Sequence, residues 1–157
     1  MKVFLGISRQ VEFLKDSPGK MNFWCVKKNQ VQLGDLLLLY FPVSVSHKES
    51  GIRQIYRITS IPTSSTPNMY ECTSRGLFSV ETELLLKLGN AIKIQDLKTN
   101  PVLSRWGAVS RNMQGVTFDV DKTIWPTLRN LILSRNPNAI VILQDTEIEA
   151  DEEIKRN

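Results

Sequence analysis

Gln32-Leu33-Gly34-Asp35-Leu36-Leu37-Leu38-Leu39-Tyr40-Phe41 is the segment on which the fold turns. Gln32-Leu33-Gly34-Asp35 reads as a turn, with Asp35 placed to cap or bond backbone. Apolar and aromatic residues then follow without a polar interruption. A run this short and continuous predicts a strand covered on both faces. Pro42 ends it, because proline has no N–H to give to a ladder. Tyr40 and Phe41 alternate faces, so one is expected to point toward a pocket and the other into core.

Upstream, Lys2 to Ile7 alternates apolar residues and reads as a first strand. Arg9 to Lys15 reads as a short helix, closed by the turn signal Asp16-Ser17-Pro18-Gly19. Met21 to Val26 is an aromatic-containing segment, extended or irregular. Downstream, Val43 to Ser50 is a polar loop, Gly51 to Ile61 a strand, and Pro62 to Pro67 an exposed Ser/Thr/Pro loop. Met69 to Ser74 and Phe78 to Leu88 read as two strands about Arg75-Gly76, and Gly89-Asn90 as a turn. Ile94 to Lys98 fits a short helix closed by Asn100-Pro101.

Val116 to Val120 reads as a further strand. Asp121 is placed to cap a helix from Lys122 to about Ser134, with Pro126 moving its start a few residues later. Ile124, Trp125, Leu128, Leu131 and Ile132 give that helix one apolar face. Ala139 to Leu143 reads as a final strand or buried arm. Five or six short strands with helices between them predict an α+β, barrel-like domain over residues 2–144. A small barrel removes sheet edges and leaves a mouth for a ligand. Residues 145–157 read as an acidic tail or the start of a linker.

The chain of 157 residues carries a formal charge of +4, and the tail hides part of its basic character. Residues 1–144 hold 18 Lys and Arg against 10 Asp and Glu. A basic body favours a polyanionic partner through attraction and counterion release. No apolar run reaches transmembrane length, so no membrane partner is expected. Cys25 and Cys72 are the only cysteines and lack CxxC spacing. They are expected as buried or half-buried thiols of a cytoplasmic, reducing compartment. His47 is the lone histidine, which leaves no metal site, and no cofactor is expected. Catalysis would want a His, Cys or carboxylate constellation. Cys25 has no evident base, and Glu81 with Glu83 on one strand face is a thin basis for a carboxylate pair. The chain is expected not to be an enzyme.

Asn100 to Phe118 offers two arginines, an indole, amides and two glycines in a turn-rich segment. Guanidinium groups and backbone N–H near glycine suit phosphate oxygens, and amides suit base edges. Arg105, Trp106, Arg111, Asn112 and Gln114 are the candidates for phosphate or backbone contact. Trp106 could instead cap the barrel, and Trp125, on the apolar helix face, is expected in the core.

In order and spacing these segments resemble the PUA-like superfamily, in its EVE and YTH branches. Gln32 to Phe41 resembles the "xxGDLVLFY" strand of EVE domains, and Gly51 to Ile58 the "GIxGIxxV" strand after it. Ile94 to Leu103 resembles the "TLxELKxxPxL" helix, and Val116 to Trp125 the "xxVxPVxxEEW" ending. The resemblance covers most of residues 2–133. It implies a PUA-like small β-barrel of five to six strands flanked by helices. It further implies a module that flips a modified base out of its strand into an aromatic cage.

By that resemblance Trp24, in Asn22-Phe23-Trp24-Cys25, stands where YTH domains have "GVWxT" and would be the first cage wall. Tyr70 with Leu77 or Phe78 would supply a second. Ser8 matches the serine of the "FLxKS" strand, although Ile7 stands where that pattern has lysine. Asn22 joins the base pocket. Ala108 to Val116 is similar to the "PVKIxRDGxEI" loop, which makes Arg111 the leading phosphate contact. The function implied is recognition of a methylated base in DNA, as the specificity domain of a modification-dependent restriction system. A motor or nuclease domain would then lie in the same or a partner chain. An RNA reader of N6-methyladenine type and a small-ligand or protein-interaction domain remain the alternatives.

Overall fold

The computed structural model describes residues 1–64, 72 and 75–144. Tyr70, most of the strand expected at 69–74 and the acidic tail 145–157 lie outside the described residues. Six strands form one sheet: β1 (Val3–Ile7), β2 (Met21–Val26), β3 (Leu36–Phe41), β4 (Gly51–Ile58), β5 (Phe78–Ile92) and β6 (Thr117–Val120). Their spatial order is β2-β5-β4-β3-β1-β6. β1 runs parallel to β3, and the other four pairings are antiparallel. The helices are α1 (Ile94–Thr99), α2 (Gly107–Ser110) and α3 (Trp125–Arg135). The stretch expected as a helix at Arg9–Lys15 is a 3-10 turn over Val11–Lys15.

β3 is buried along its whole length, as its sequence demands. Leu36, Leu38 and Tyr40 pack with β1, Trp106, Trp125 and Leu128 in the layer beneath the helices. Leu37, Leu39 and Phe41 face the barrel interior with Phe4, Tyr56 and Trp24. Each fully buried leucine contributes about 1.5–3 kcal/mol, so this one strand anchors both layers. Burial raises the Tyr40 phenol above its ordinary pKa. The turn before β3 rests on Gly34, whose φ of +92° favours glycine. The Asp35 carboxylate accepts from the N–H groups of Lys2 (3.0 Å) and Gln32 (2.8 Å), tying that turn to the start of β1.

The barrel closes through side chains. β2 and β6 are the two ends of the sheet. Trp24 bridges them: its Nε1–H donates to Thr117 Oγ1 at 2.8 Å, and that hydroxyl donates to the Cys25 carbonyl at 2.9 Å. Gln30 adds a longer bond from Nε2 to Asp119 Oδ1 at 3.4 Å. The indole lies over Gly6, where an added Cβ would sit 2.7 Å from Trp24 Cζ2. Gly6 is itself paired with Thr117, so the ring covers the seam between β1 and β6.

Three expectations need correction, and one open alternative is decided. Gly89-Asn90 is no turn, because β5 runs through to Ile92. The Asn136 side chain supplies what a neighbouring strand would: Asn90 N–H donates to Asn136 Oδ1, and Asn136 Nδ2 donates to Asn90 O, both at 2.9 Å. Met21–Val26, read as extended or irregular, takes the extended form, a regular strand paired with β5. Ala139–Leu143 is helical. Ala139 and Leu143, four apart, are buried, whereas Ile140 and Val141 are exposed, a helical spacing that a short apolar run conceals. Finally, Cys25 and Cys72 are joined as a disulfide, with Cα atoms 5.2 Å apart. Cys25 pairs with Ser79 across β2 and β5, and Leu77 N–H reaches back to the Cys72 carbonyl at 2.8 Å. That fold-back brings together residues 47 apart in sequence.

α3 starts at Trp125 with Pro126 in its first turn, the late start that the proline predicts. Asp121 Oδ1 accepts from the backbone N–H of Thr123 (2.8 Å) and Ile124 (3.1 Å). At its other end, Arg135 grips Asp96 of α1 with two guanidinium bonds of 2.5 and 2.9 Å.

Candidate functional site

Among the described residues, two depressions stand out on the surface. The larger, about 850 Å³, is open and lined by Lys48, Arg53, Lys93 and Arg135. Its guanidinium groups are engaged: Arg53 lies 3.3 Å from Glu49 and bonds the Leu88 and Gly89 carbonyls, and Arg135 holds Asp96. These contacts fasten β4, β5 and the helices, so this depression reads as architecture.

The second, about 560 Å³, lies at the barrel seam and falls in the range of small-molecule sites. Trp24 forms one wall. It is 9 % exposed and fixed by Thr117 and Gly6, so its ring is a rigid surface. Phe13 meets it edge-on, with ring centroids 6.2 Å apart and an interplanar angle of 66°. Asn22 and Ser8 also line the cleft. Asn22 Nδ2 donates to Asp16 Oδ2 at 2.6 Å, which fixes the amide plane. Ser8 is buried and accepts from Gln10 N–H at 3.2 Å, shaping the chain as it leaves β1.

Below the cleft runs a buried polar chain. Tyr56 donates to Gln54 Oε1 at 2.8 Å, and Gln54 Nε2 donates to the Phe13 carbonyl at 2.7 Å. Burial, reinforced by the negative charge of Asp16, pushes the Tyr56 phenol far above its ordinary pKa. The hydroxyl therefore remains a neutral donor that locks the floor.

The structure thus brings together three of the expected cage residues, Trp24, Asn22 and Ser8. Phe78 pairs with Val26, two positions along β2 from Trp24, and neither Phe78 nor Leu77 lines the cleft. Tyr40 and Phe41 also stay away from it, in the helix layer and the barrel interior. The aromatic residues that line it beside Trp24 are Phe13 and Phe23, with Phe23 exposed at 39 %. Neither carried a motif in the sequence; in β2, alternation about Trp24 is the signal that puts Phe23 outside. Arg9 and Arg75, both exposed, give the lining its positive charge.

The glycine-rich loop reaches the cleft through Gly115 and Val116. Val116 O accepts from Ile7 N–H at 2.9 Å, which sets the loop beside β1. Asn112 (φ 53°) and Met113 (φ 59°) are both left-handed, a conformation that costs about 1–3 kcal/mol in a non-glycine residue. Burial of Met113 and its N–H bond to Ala108 O at 2.8 Å hold it. The loop leaves Arg111, Asn112 and Gln114 exposed. Arg105 is exposed too. Trp106 goes elsewhere: it is 4 % exposed, lies in the core, and donates to Asp119 O at 2.9 Å. It caps the barrel and does not line the cleft.

Among the described residues no cluster of three metal-binding side chains occurs, and no helix is long and apolar enough to cross a membrane.

No family model and no curated protein matches the sequence. Solved structures do match in shape. A Pseudomonas putida protein shares 18% identity at a TM-score of 0.62, over 83% of this chain and 99% of its own. The DUF55 domain of human thymocyte nuclear protein 1 shares 15% at 0.59, over 83% and 98%. Human THYN1 protein, solved in complex with DNA containing 5-methylcytosine, shares 14% at 0.60, over 84% and 98%. At such identities the likeness is one of fold.

Proposed function

We propose that this chain, which has the PUA-like small-barrel fold of EVE domains, is a nucleic-acid-binding module that reads a methylated base in DNA. The base enters the seam cleft and lies against Trp24. The observation that carries this reading is the cleft itself: a rigid indole wall, a fixed Asn22 amide and a cationic lining gathered in about 560 Å³. An aromatic wall favours a flat ring and its methyl group, an amide reads a base edge, and arginines hold the flanking phosphates. The likeness in fold to a protein solved with 5-methylcytosine DNA supports the choice of ligand.

Flipping a base costs a few kcal/mol of unstacking, offset by stacking in the cleft and by phosphate contacts. Arg111, Asn112, Gln114 and Arg105, all exposed, are assigned to the DNA backbone, and the loop carrying the first three runs on into Gly115 and Val116 of the cleft lining. Tyr70 is proposed, on the family resemblance alone, as a second cage wall. In a modification-dependent restriction system this module would supply specificity to a motor or nuclease partner.

The test is a panel of short duplexes carrying 5-methylcytosine, 5-hydroxymethylcytosine, N6-methyladenine or no modification, titrated at two salt concentrations. A preference of tenfold or so for one modification is expected, since burying a methyl is worth about 1 kcal/mol and ring contacts add to it. Equal affinity for every duplex would refute modified-base reading. Tighter binding to a matched RNA would move the assignment to an RNA reader.

A further inference from the structure

The cleft has a wall made by a covalent bond. The Cys25–Cys72 disulfide ties the residue after Trp24 to the turn that leads into β5, and both cysteines line the cleft. Cys72 is only 1 % exposed, yet it carries the turn: its carbonyl accepts from Arg75 N–H (3.2 Å) and Leu77 N–H (2.8 Å). Arg75, exposed and on the same lining, is thus set by the bond to Cys25. Farther back along the chain, Thr63 pairs with Ser79 of β5. Cys25 is half-buried and lines the cleft, which is the route a small thiol would take to it.

We infer that the Cys25–Cys72 disulfide is a redox latch on the nucleic-acid cleft: oxidised, it holds Arg75 at the cleft for a DNA phosphate; reduced, it releases that contact. The inference rests on the function proposed above and adds its regulation. The reductant is a small thiol of the glutathione class. One thiolate attacks Cys25 Sγ, forms a mixed disulfide and expels Cys72 as thiolate. A second thiolate attacks the small-molecule sulfur of that mixed disulfide and expels Cys25. The two protein thiolates take up the two protons the small thiols gave up, and one small disulfide leaves with two electrons fewer.

The coupling runs both ways. If oxidation tightens DNA binding by about tenfold, the order of one charge-assisted phosphate contact, bound DNA favours the oxidised form by the same factor. For a two-electron couple that factor is about 30 mV in reduction potential. DNA lying in the cleft also covers the approach to Cys25, so it slows reduction.

The experiment uses the full chain and a 5-methylcytosine duplex, titrated with the disulfide intact, after reduction, and after reoxidation, with thiols counted at each stage. Affinity is expected to fall by about tenfold on reduction and to return on reoxidation. Arg75→Ala, in the oxidised chain, is expected to be weakened likewise and to lose the response to reductant. Equal affinity in the oxidised and fully reduced chains would overturn the latch. Trypsin cleavage of the Arg75–Gly76 bond, read by mass, gives a measure independent of DNA. It is expected to quicken several-fold on reduction as local opening becomes easier, while circular dichroism stays unchanged. If no duplex binds in either state, the proposed function fails, and the cleavage rate decides the latch: faster supports it, unchanged overturns it.

Discussion

Gly6→Ala is the substitution that most sharply tests how the seam is built. A Cβ at residue 6 would lie 2.7 Å from Trp24 Cζ2, 2.8 Å from Cε2 and 3.0 Å from Nε1. Those atoms belong to a flat ring wedged between two strands, so the ring must tilt or move outward. Overpacking of this kind costs about 1–3 kcal/mol. Tilting the indole also breaks its 2.8 Å bond to Thr117, worth about 0.5–1.5 kcal/mol. The total is about 1.5–4.5 kcal/mol, and at roughly 2–4 °C per kcal/mol for a domain of this size Tm falls by several degrees or more. Without the clash the sign reverses: alanine would stabilise by about 0.4–1 kcal/mol through loss of unfolded-state freedom. Thermal and urea denaturation decide between them. Gly107→Ala is the control, since nothing lies within 4 Å of its added Cβ. A Gly6→Ala chain as stable as the parent, or more so, would refute the sealed seam.

Other expectations follow from the same geometry. Arg111→Ala should weaken binding to methylated and plain duplex alike and lower the salt slope by about one unit, read from titrations across salt concentrations; a loss confined to the methylated duplex would make Arg111 a base reader. Phe23→Ala should leave the fold intact and cost about 1–3 kcal/mol of DNA affinity, as loss of one stacked base would, and unchanged affinity would remove Phe23 from the interface. Acid stability should depend on Asp96, whose carboxyl Arg135 holds below its ordinary value of 3.8 through their hydrogen bonds. Because the folded-state pKa is the lower one, this stabilisation is complete above the unfolded value and is lost as pH falls through the folded one. Asp96→Asn should therefore be less stable at neutral pH and flatten the acid limb of a stability-against-pH curve. A limb of unchanged steepness would contradict that assignment.

Much of this architecture was legible because its signals are local. The Leu36–Phe41 run could only be a strand covered on both faces, and Gly34 with Asp35 announced the turn before it. Pro126 set the late start of α3. What stayed hidden depends on contacts between distant segments. Asn90 is held within β5 by the amide of Asn136, far along the chain, between the β4 pairings of Lys87 and Ile92. The cysteine pair required knowing that the chain folds back before β5. In the site, Trp24, Asn22 and Ser8 were placed by resemblance to a family. Phe13, Arg9 and Arg75 were missed, since they lie outside the strands and no pattern of spacing ties them to Trp24, whereas Phe23 was missed although alternation in β2 marks it as exposed. Trp106, an indole in a polar loop, carried no local sign that Asp119 would take its N–H into the core.

The central claim is that the methylated base leaves its stack and lies against Trp24. Its most direct test is a duplex carrying one 5-methylcytosine with a carbon-13-labelled methyl group, bound to the protein, with magnetisation transfer measured from that methyl. The account predicts transfer to the indole protons of Trp24 and the ring protons of Phe13, with loss of the methyl's contacts to its neighbouring bases. A methyl that keeps its stacked-duplex contacts, or that reaches protons only outside the seam cleft, would contradict it.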